Sequence, residues 1–170
     1  SSTLLCGDEA GGLFIVPPAA AGGPRKRQIR SLKESHFGMV TSISTMSPKD
    51  GRAGLAKGFL RGVGGLVLTC GVDWTVKLWA PAYKDTPLLS LVSHSYDYMS
   101  DVQWYVFCRS IYYLHRFMQP AQLYLHYSLS KFRNPAHQSL FATASSNGSV
   151  GLWNLAISLE EPIGSIVVSA

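Results

Sequence analysis

The chain has 170 residues, of which 46% are apolar and 15% charged, a balance that excludes a disordered polymer and allows one ordinary domain with a sizeable core. Three cysteines, Cys6, Cys70 and Cys108, are too widely spaced for a disulfide framework or a Cys-x-x-Cys metal site, and read as reduced thiols. A net charge of +5 raises nucleic acid as a partner, so where that charge lies along the chain matters.

The chain begins on Ser1 rather than Met, with no charged-then-apolar leader. The first predicted element is a hairpin within residues 1–16, where CGDEAGGLFIV (6–16) sets Gly11 between two short apolar runs. PPAAAGGP (17–24) reads as a loop tip before an outer strand beginning near Arg27, so 17–35 is expected to be loop and strand. Between Arg25 and Arg61 nine Lys or Arg face two acids, Glu34 and Asp50. Gly, Ala and Ser separate these charges, not aromatics that would stack on bases, so solvated loop charge is the simpler reading and nucleic-acid binding is disfavoured.

His36 precedes the alternating run VTSIST (40–45). A Gly-rich insertion, 46–65, then leads to TCGVDWTVKLW (69–79), and PLLSLV (87–92) follows. The Gly62-x-Gly64 pair precedes a strand rather than a helix, and so is no dinucleotide loop. The 69–79 segment recurs 74 residues later as TASSNGSVGLW (143–153), which sets Thr69 on Thr143, Asp73 on Asn147, Val76 on Val150 and Trp79 on Trp153. It also matches the first hairpin at an offset of 63, so that Gly11, Trp74 and Gly148 share one turn position. In the last unit MSDVQW (99–104) opens and PIGSIVV (162–168) closes, and counting back from Trp104 puts Ser95, not His94, at the place of His36. Asn147-Gly148 is a strong hairpin turn, which outweighs its match to a glycosylation site.

Four short strands per unit, each unit too small to bury its own face, predict an all-β partial propeller: the end of one blade in 1–16, a blade over 36–92, and another over 93–168. These units resemble WD repeats. The resemblance implies that His36, Thr69, Asp73 and Trp79 form a hydrogen-bonded chain from turn to indole, and that Thr143, Asn147 and Trp153 form a less complete one. They are expected to be scaffold rather than a catalytic set. The order of VDWTVKLW, PLLSLVSHSYDYMSDVQW, NPAHQSLFATASSNGSVGLWNL and EEPIGSIVV is similar to cytoplasmic dynein intermediate chains, and the Asp-Trp-Thr theme is shared with axonemal ones.

That resemblance implies a non-catalytic, cytoplasmic, cytoskeleton-associated motor subunit. Its propeller would dock on a dynein heavy chain alongside other dynein subunits, with no cofactor, metal or small-molecule substrate. The chain ends at Ala170 inside the apolar run IGSIVVSA, and two blades plus part of a third cannot close a ring, so it reads as a fragment prone to aggregate when isolated.

Two residues stand out as candidate partner contacts. Trp74 occupies a turn tip where a Trp either reaches a partner or folds over a neighbouring blade. Lys77 faces away from Val76 and Leu78, which on strand alternation reads as ordinary blade surface. Against the family pattern, residues 105–133 interpose a Tyr- and Leu-rich stretch without acids between two strands of one blade. A helical partner-binding insertion, a membrane-surface segment and retained non-coding sequence all remain open; the last accounts best for its lack of strand or helix logic.

Overall fold

The computed structural model describes residues 4–17, 28–46, 65–93, 95–104 and 140–167. The basic stretch apart from residues 28–46, most of the Gly-rich insertion and the whole of 105–133 lie outside the described residues, as does the expected strand start at Arg27.

Three antiparallel sheets follow one another along the chain. β1 (Leu4–Gly7), β2 (Leu13–Val16) and β3 (Arg30–Ser31) form the first, in that order. β4 (Val40–Met46), β5 (Leu66–Gly71), β6 (Thr75–Trp79) and β7 (Leu89–Val92) form the second. The third contains β8 (Met99–Trp104), β9 (Leu140–Ser145), β10 (Ser149–Asn154) and β11 (Gly164–Val167). Every pairing joins strands adjacent in sequence, so each sheet is a meander, and stacked meanders of this kind are the blades of a partial propeller.

The hairpins keep equivalent register. Gly7 pairs with Leu13 and Cys70 with Val76, at the offset of 63. Phe141 pairs with Trp153 just as Val67 pairs with Trp79, at the offset of 74. Because side chains alternate across a sheet, equal register fixes equal facing. Leu13 on the first sheet packs against Val67 and Trp79 on the second. On the far side of the second sheet Leu68, Cys70, Val76 and Leu78 pack against Val102, Trp104, Phe141 and Trp153 of the third. Phe141 and Trp153 stack with their planes 2° apart, and Trp104 meets Phe141 edge-on.

The middle sheet is therefore covered on both faces, and all six residues of β5 are buried. The outer sheets are covered on one: Val150 and Leu152 are only half-buried, although Val150 is equivalent to the buried Leu13 and Val76. Polar links tie the second sheet to the third. The Thr41 hydroxyl donates to the Met99 carbonyl, Ser42 Oγ to Asp101 Oδ1 at 2.6 Å, and the Trp104 amide to Ser44 Oγ at 3.0 Å.

Candidate functional site: the turn-to-tryptophan chain

Each hairpin needs a residue with positive φ to close its turn, and the three that supply it are Gly11 (93°), Trp74 (64°) and Gly148 (80°). The turn of the middle sheet is built on Asp73. Its Oδ1 accepts the Thr75 amide at 3.1 Å and the Thr75 hydroxyl at 2.8 Å, and its Oδ2 accepts the Phe37 amide at 3.0 Å. The His36 imidazole lies against the same carboxylate, with Nδ1 3.0 Å from Oδ1 and 3.1 Å from Oδ2.

On the other edge of the ring Nε2 is 2.7 Å from Thr69 Oγ1, which in turn receives the Trp79 indole N–H at 2.8 Å. The indole can only donate, so Thr69 must accept from it. Pointing the Thr69 hydroxyl hydrogen at Nε2 and the Nδ1 hydrogen at Asp73 then leaves no atom of the chain unpaired. Burial alone would raise the Asp73 pKa. The hydrogen bonds from His36, the Phe37 amide and Thr75 outweigh that and hold it well below the usual carboxylate range.

Space for the ring comes from Gly71, where an added Cβ would stand 3.0 Å from His36 Nδ1 and 3.2 Å from Asp73 Oδ1. The Thr69 hydroxyl lies wholly buried between an imidazole and an indole. No substrate can approach it, so the His-Asp-Thr set has the geometry of a strut and not of a nucleophile with its base. The Cys70 thiol next to Thr69 is pushed up to about 11, mainly by burial, and is no nucleophile at neutral pH.

The third sheet repeats half of this. The Trp153 indole donates to Thr143 Oγ1 at 3.0 Å, and Asn147 Oδ1 accepts the Ser149 amide at 3.0 Å, as Asp73 accepts that of Thr75. The imidazole arm is replaced. Ser145 stands at the position of Gly71, and its hydroxyl meets Ser95 Oγ at 2.8 Å, with Ser93 Oγ a further 2.9 Å away. Ser95 stands where the other sheet has His36, so a serine pair takes the place of a glycine and a histidine. The spacing back from Trp104 marks Ser95 at the place of His36, but not its partner Ser145 at the place of Gly71.

The two candidate contact residues part company. Trp74 is 48% exposed at its turn tip, its carbonyl holding the Ser93 amide at 2.6 Å. Lys77 is 8% exposed, and its Nζ donates to the Glu34 carbonyl at 2.9 Å. The expectation of ordinary blade surface at Lys77 is thereby corrected. Alternation puts Lys77 on the face away from Val76, but that face is covered by the first sheet, and the ammonium braces the chain entering the His36 turn. Arg30, from the basic stretch, is likewise engaged, with Asp85 at 3.2 Å and with the Pro81 carbonyl.

Three stacked antiparallel meanders, the second and third each closed by an indole-to-threonine bond, define an all-β protein of the partial-propeller class. The chain resembles a dynein intermediate chain over its full extent: it is 32% identical over 173 aligned positions to cytoplasmic dynein 1 intermediate chain of Drosophila melanogaster, a match covering 99% of this chain and 19% of that protein. It thus spans about a fifth of the length of that curated relative. No family model matches the chain.

Proposed function

We propose that this chain is part of the WD-repeat propeller of a dynein intermediate chain of the cytoplasmic branch. In this reading it is a non-catalytic subunit that docks on the tail of a dynein heavy chain and serves microtubule-based transport in the cytoplasm. The observation that carries the reading is similarity along the whole chain to a cytoplasmic dynein 1 intermediate chain. The sheet stack supports it in kind, since packed blades, the middle one buried on both faces, offer fixed rims and loops for docking.

The test is affinity capture of the full-length protein that carries this segment, with the co-purifying proteins identified by mass spectrometry. A dynein heavy chain recovered in stoichiometric amount is the expected result. Its absence from a well-folded, soluble bait sinks the docking reading, and recovery of an axonemal heavy chain in its place moves the protein to the other branch.

A further inference from the structure

The strands of the stack run alternately up and down, which gathers the three hairpin turns and the two segments entering β4 and β8 at one rim. Among the bonds that join those segments are His36 N–H to the Gly11 carbonyl, Phe37 N–H to Asp73, Val72 N–H to the Met39 carbonyl, Ser93 N–H to the Trp74 carbonyl, and Ser146 N–H to the Tyr98 carbonyl. This rim exposes Phe37 (88%), Tyr96 (80%), Trp74, Tyr98 and Met39. Phe37 and Tyr96 occupy equivalent places in successive sheets, as do Met39 and Tyr98, so the aromatics form a repeated row.

The backbone adds a second indication. Non-glycine residues with positive φ among the described residues are Glu34, Trp74 and Tyr96. Glu34 has a reason within the fold, because its carbonyl receives the Lys77 ammonium. Trp74 and Tyr96 are bulky, exposed, and left-handed on the same rim, and at the Trp74 position the other two hairpins use glycine. A large side chain in that region is an unfavourable choice for the turn itself.

Charge then selects the ligand. The three hairpin turns and residues 35–39 and 95–98, the described residues that make this rim, include Asp8, Glu9 and Asp97 in addition to the His36-bound Asp73, and no Lys or Arg; Lys33, earlier in the segment entering β4, has its amide on the Asp85 carbonyl towards the opposite rim. The opposite rim carries both signs, with Arg30, Lys84, Asp85, Glu160 and Glu161. Electron-rich ring faces among carboxylates are complementary to guanidinium and ammonium groups, and repel nucleic acid and anionic lipid.

We infer that this rim binds a basic, Lys/Arg-containing peptide segment of a partner protein, with Trp74 as its anchoring side chain. The inference goes beyond the heavy-chain reading, because it assigns a surface and a ligand chemistry whichever subunit supplies the segment. Its test uses the full-length protein and a fluorescently labelled Lys/Arg-rich peptide with interspersed Leu, read by anisotropy against a counterpart in which Glu and Asp replace the cations. The basic peptide is expected to bind, with a Kd that rises with salt. Trp74→Gly is expected to weaken it roughly tenfold or more, with the thermal midpoint unchanged, as for an interface aromatic. Trp74→Phe retains part of the affinity.

Equal affinity of Trp74→Gly and parent overturns the inference, as does equal binding of the acidic counterpart, or preference for phosphatidylserine vesicles over the peptide. Capture of the heavy chain is scored on the same preparations. Loss of capture with peptide binding intact defeats the docking reading alone; the converse defeats this one alone.

Discussion

The middle and last sheets use the same indole and the same threonine but anchor them differently, and the difference separates what a blade needs from what it can exchange. In the middle sheet the chain runs Trp79, Thr69, His36, Asp73, and so ties the end of β6 to the turn and to the segment entering β4. In the last sheet Trp153 reaches Thr143 and the side-chain chain stops, while Ser95 and Ser145 join the entering segment to the sheet separately. Both retain the indole acceptor, because an unpaired N–H beside the wholly buried Trp79 or Trp153 is a desolvated donor. Of the two, only the middle sheet, covered on both faces, adds an imidazole–carboxylate anchor.

The largest expected effect comes from removing that anchor. Asp73→Ala strips acceptors from the His36 ring, the Phe37 amide and Thr75, and is expected to destabilise the middle sheet by about 3 kcal/mol, since several donors lose hydrogen bonds to one charged acceptor. Asn147→Ala, which removes one turn acceptor, is expected to cost about 1 kcal/mol. Urea unfolding of the full-length protein, with hydrogen exchange to localise the loss, checks both; equal losses would erase the contrast between the sheets. A pH series sharpens it. The Asp73 carboxyl is depressed in the fold, so its contribution is fully present above its unfolded value of about 4 and is lost progressively as pH falls through the folded value. Asp73→Asn should flatten that acid limb, and Asn147→Asp should leave it largely as it was.

A smaller contrast lies in the threonines. Thr69→Val orphans both the indole and an imidazole nitrogen, for an expected loss of about 2 kcal/mol, while Thr143→Val orphans the indole alone and is expected to lose about 1 kcal/mol. Denaturant midpoints with unchanged m-values are the measurement.

Much of this was legible in the sequence, and for a physical reason. Hairpins announce themselves through alternation and turn residues, so the offset of 63 sets Leu13 and Val76, and that of 74 sets Val76 and Val150, at equivalent positions from spacing alone. Alignment also set Trp74 on two glycines, and all three have positive φ. What alternation cannot report is how many faces of a sheet are covered. Lys77 reads as surface on a one-sided sheet and is buried in a two-sided stack. Ser95 was legible at the place of His36, but its partner was not, for a related reason: a cavity emptied by Gly71 and filled by Ser145 is a matter of volume between segments, not of spacing along one.

That volume argument can be turned into a transplant. Ser95→His alone would meet the Ser145 side chain, and Asn147→Asp alone would place a carboxylate with no imidazole beside it. Ser95→His, Ser145→Gly and Asn147→Asp together reproduce the middle sheet's arrangement. The triple variant is expected to exceed the sum of its single changes by about 1 kcal/mol, read from a thermodynamic cycle, since residues sharing one network couple. Additive changes would mean that neighbouring elements, not these three positions, hold the histidine.

The smallest expected effect is at Trp74. Glycine relieves a left-handed tryptophan, which favours the folded state by about 1 kcal/mol, but it also frees the unfolded chain by about as much. The two terms oppose, so Trp74→Gly should shift stability by no more than about 0.5 kcal/mol in either direction, by the same estimates. Gly148→Trp in the last sheet, the mirror experiment, carries the strain with no relief and should destabilise by about 1 kcal/mol or more. If instead Trp74→Gly destabilised strongly, the indole would be packing over a neighbouring blade, and the middle turn would join the scaffold rather than the binding rim.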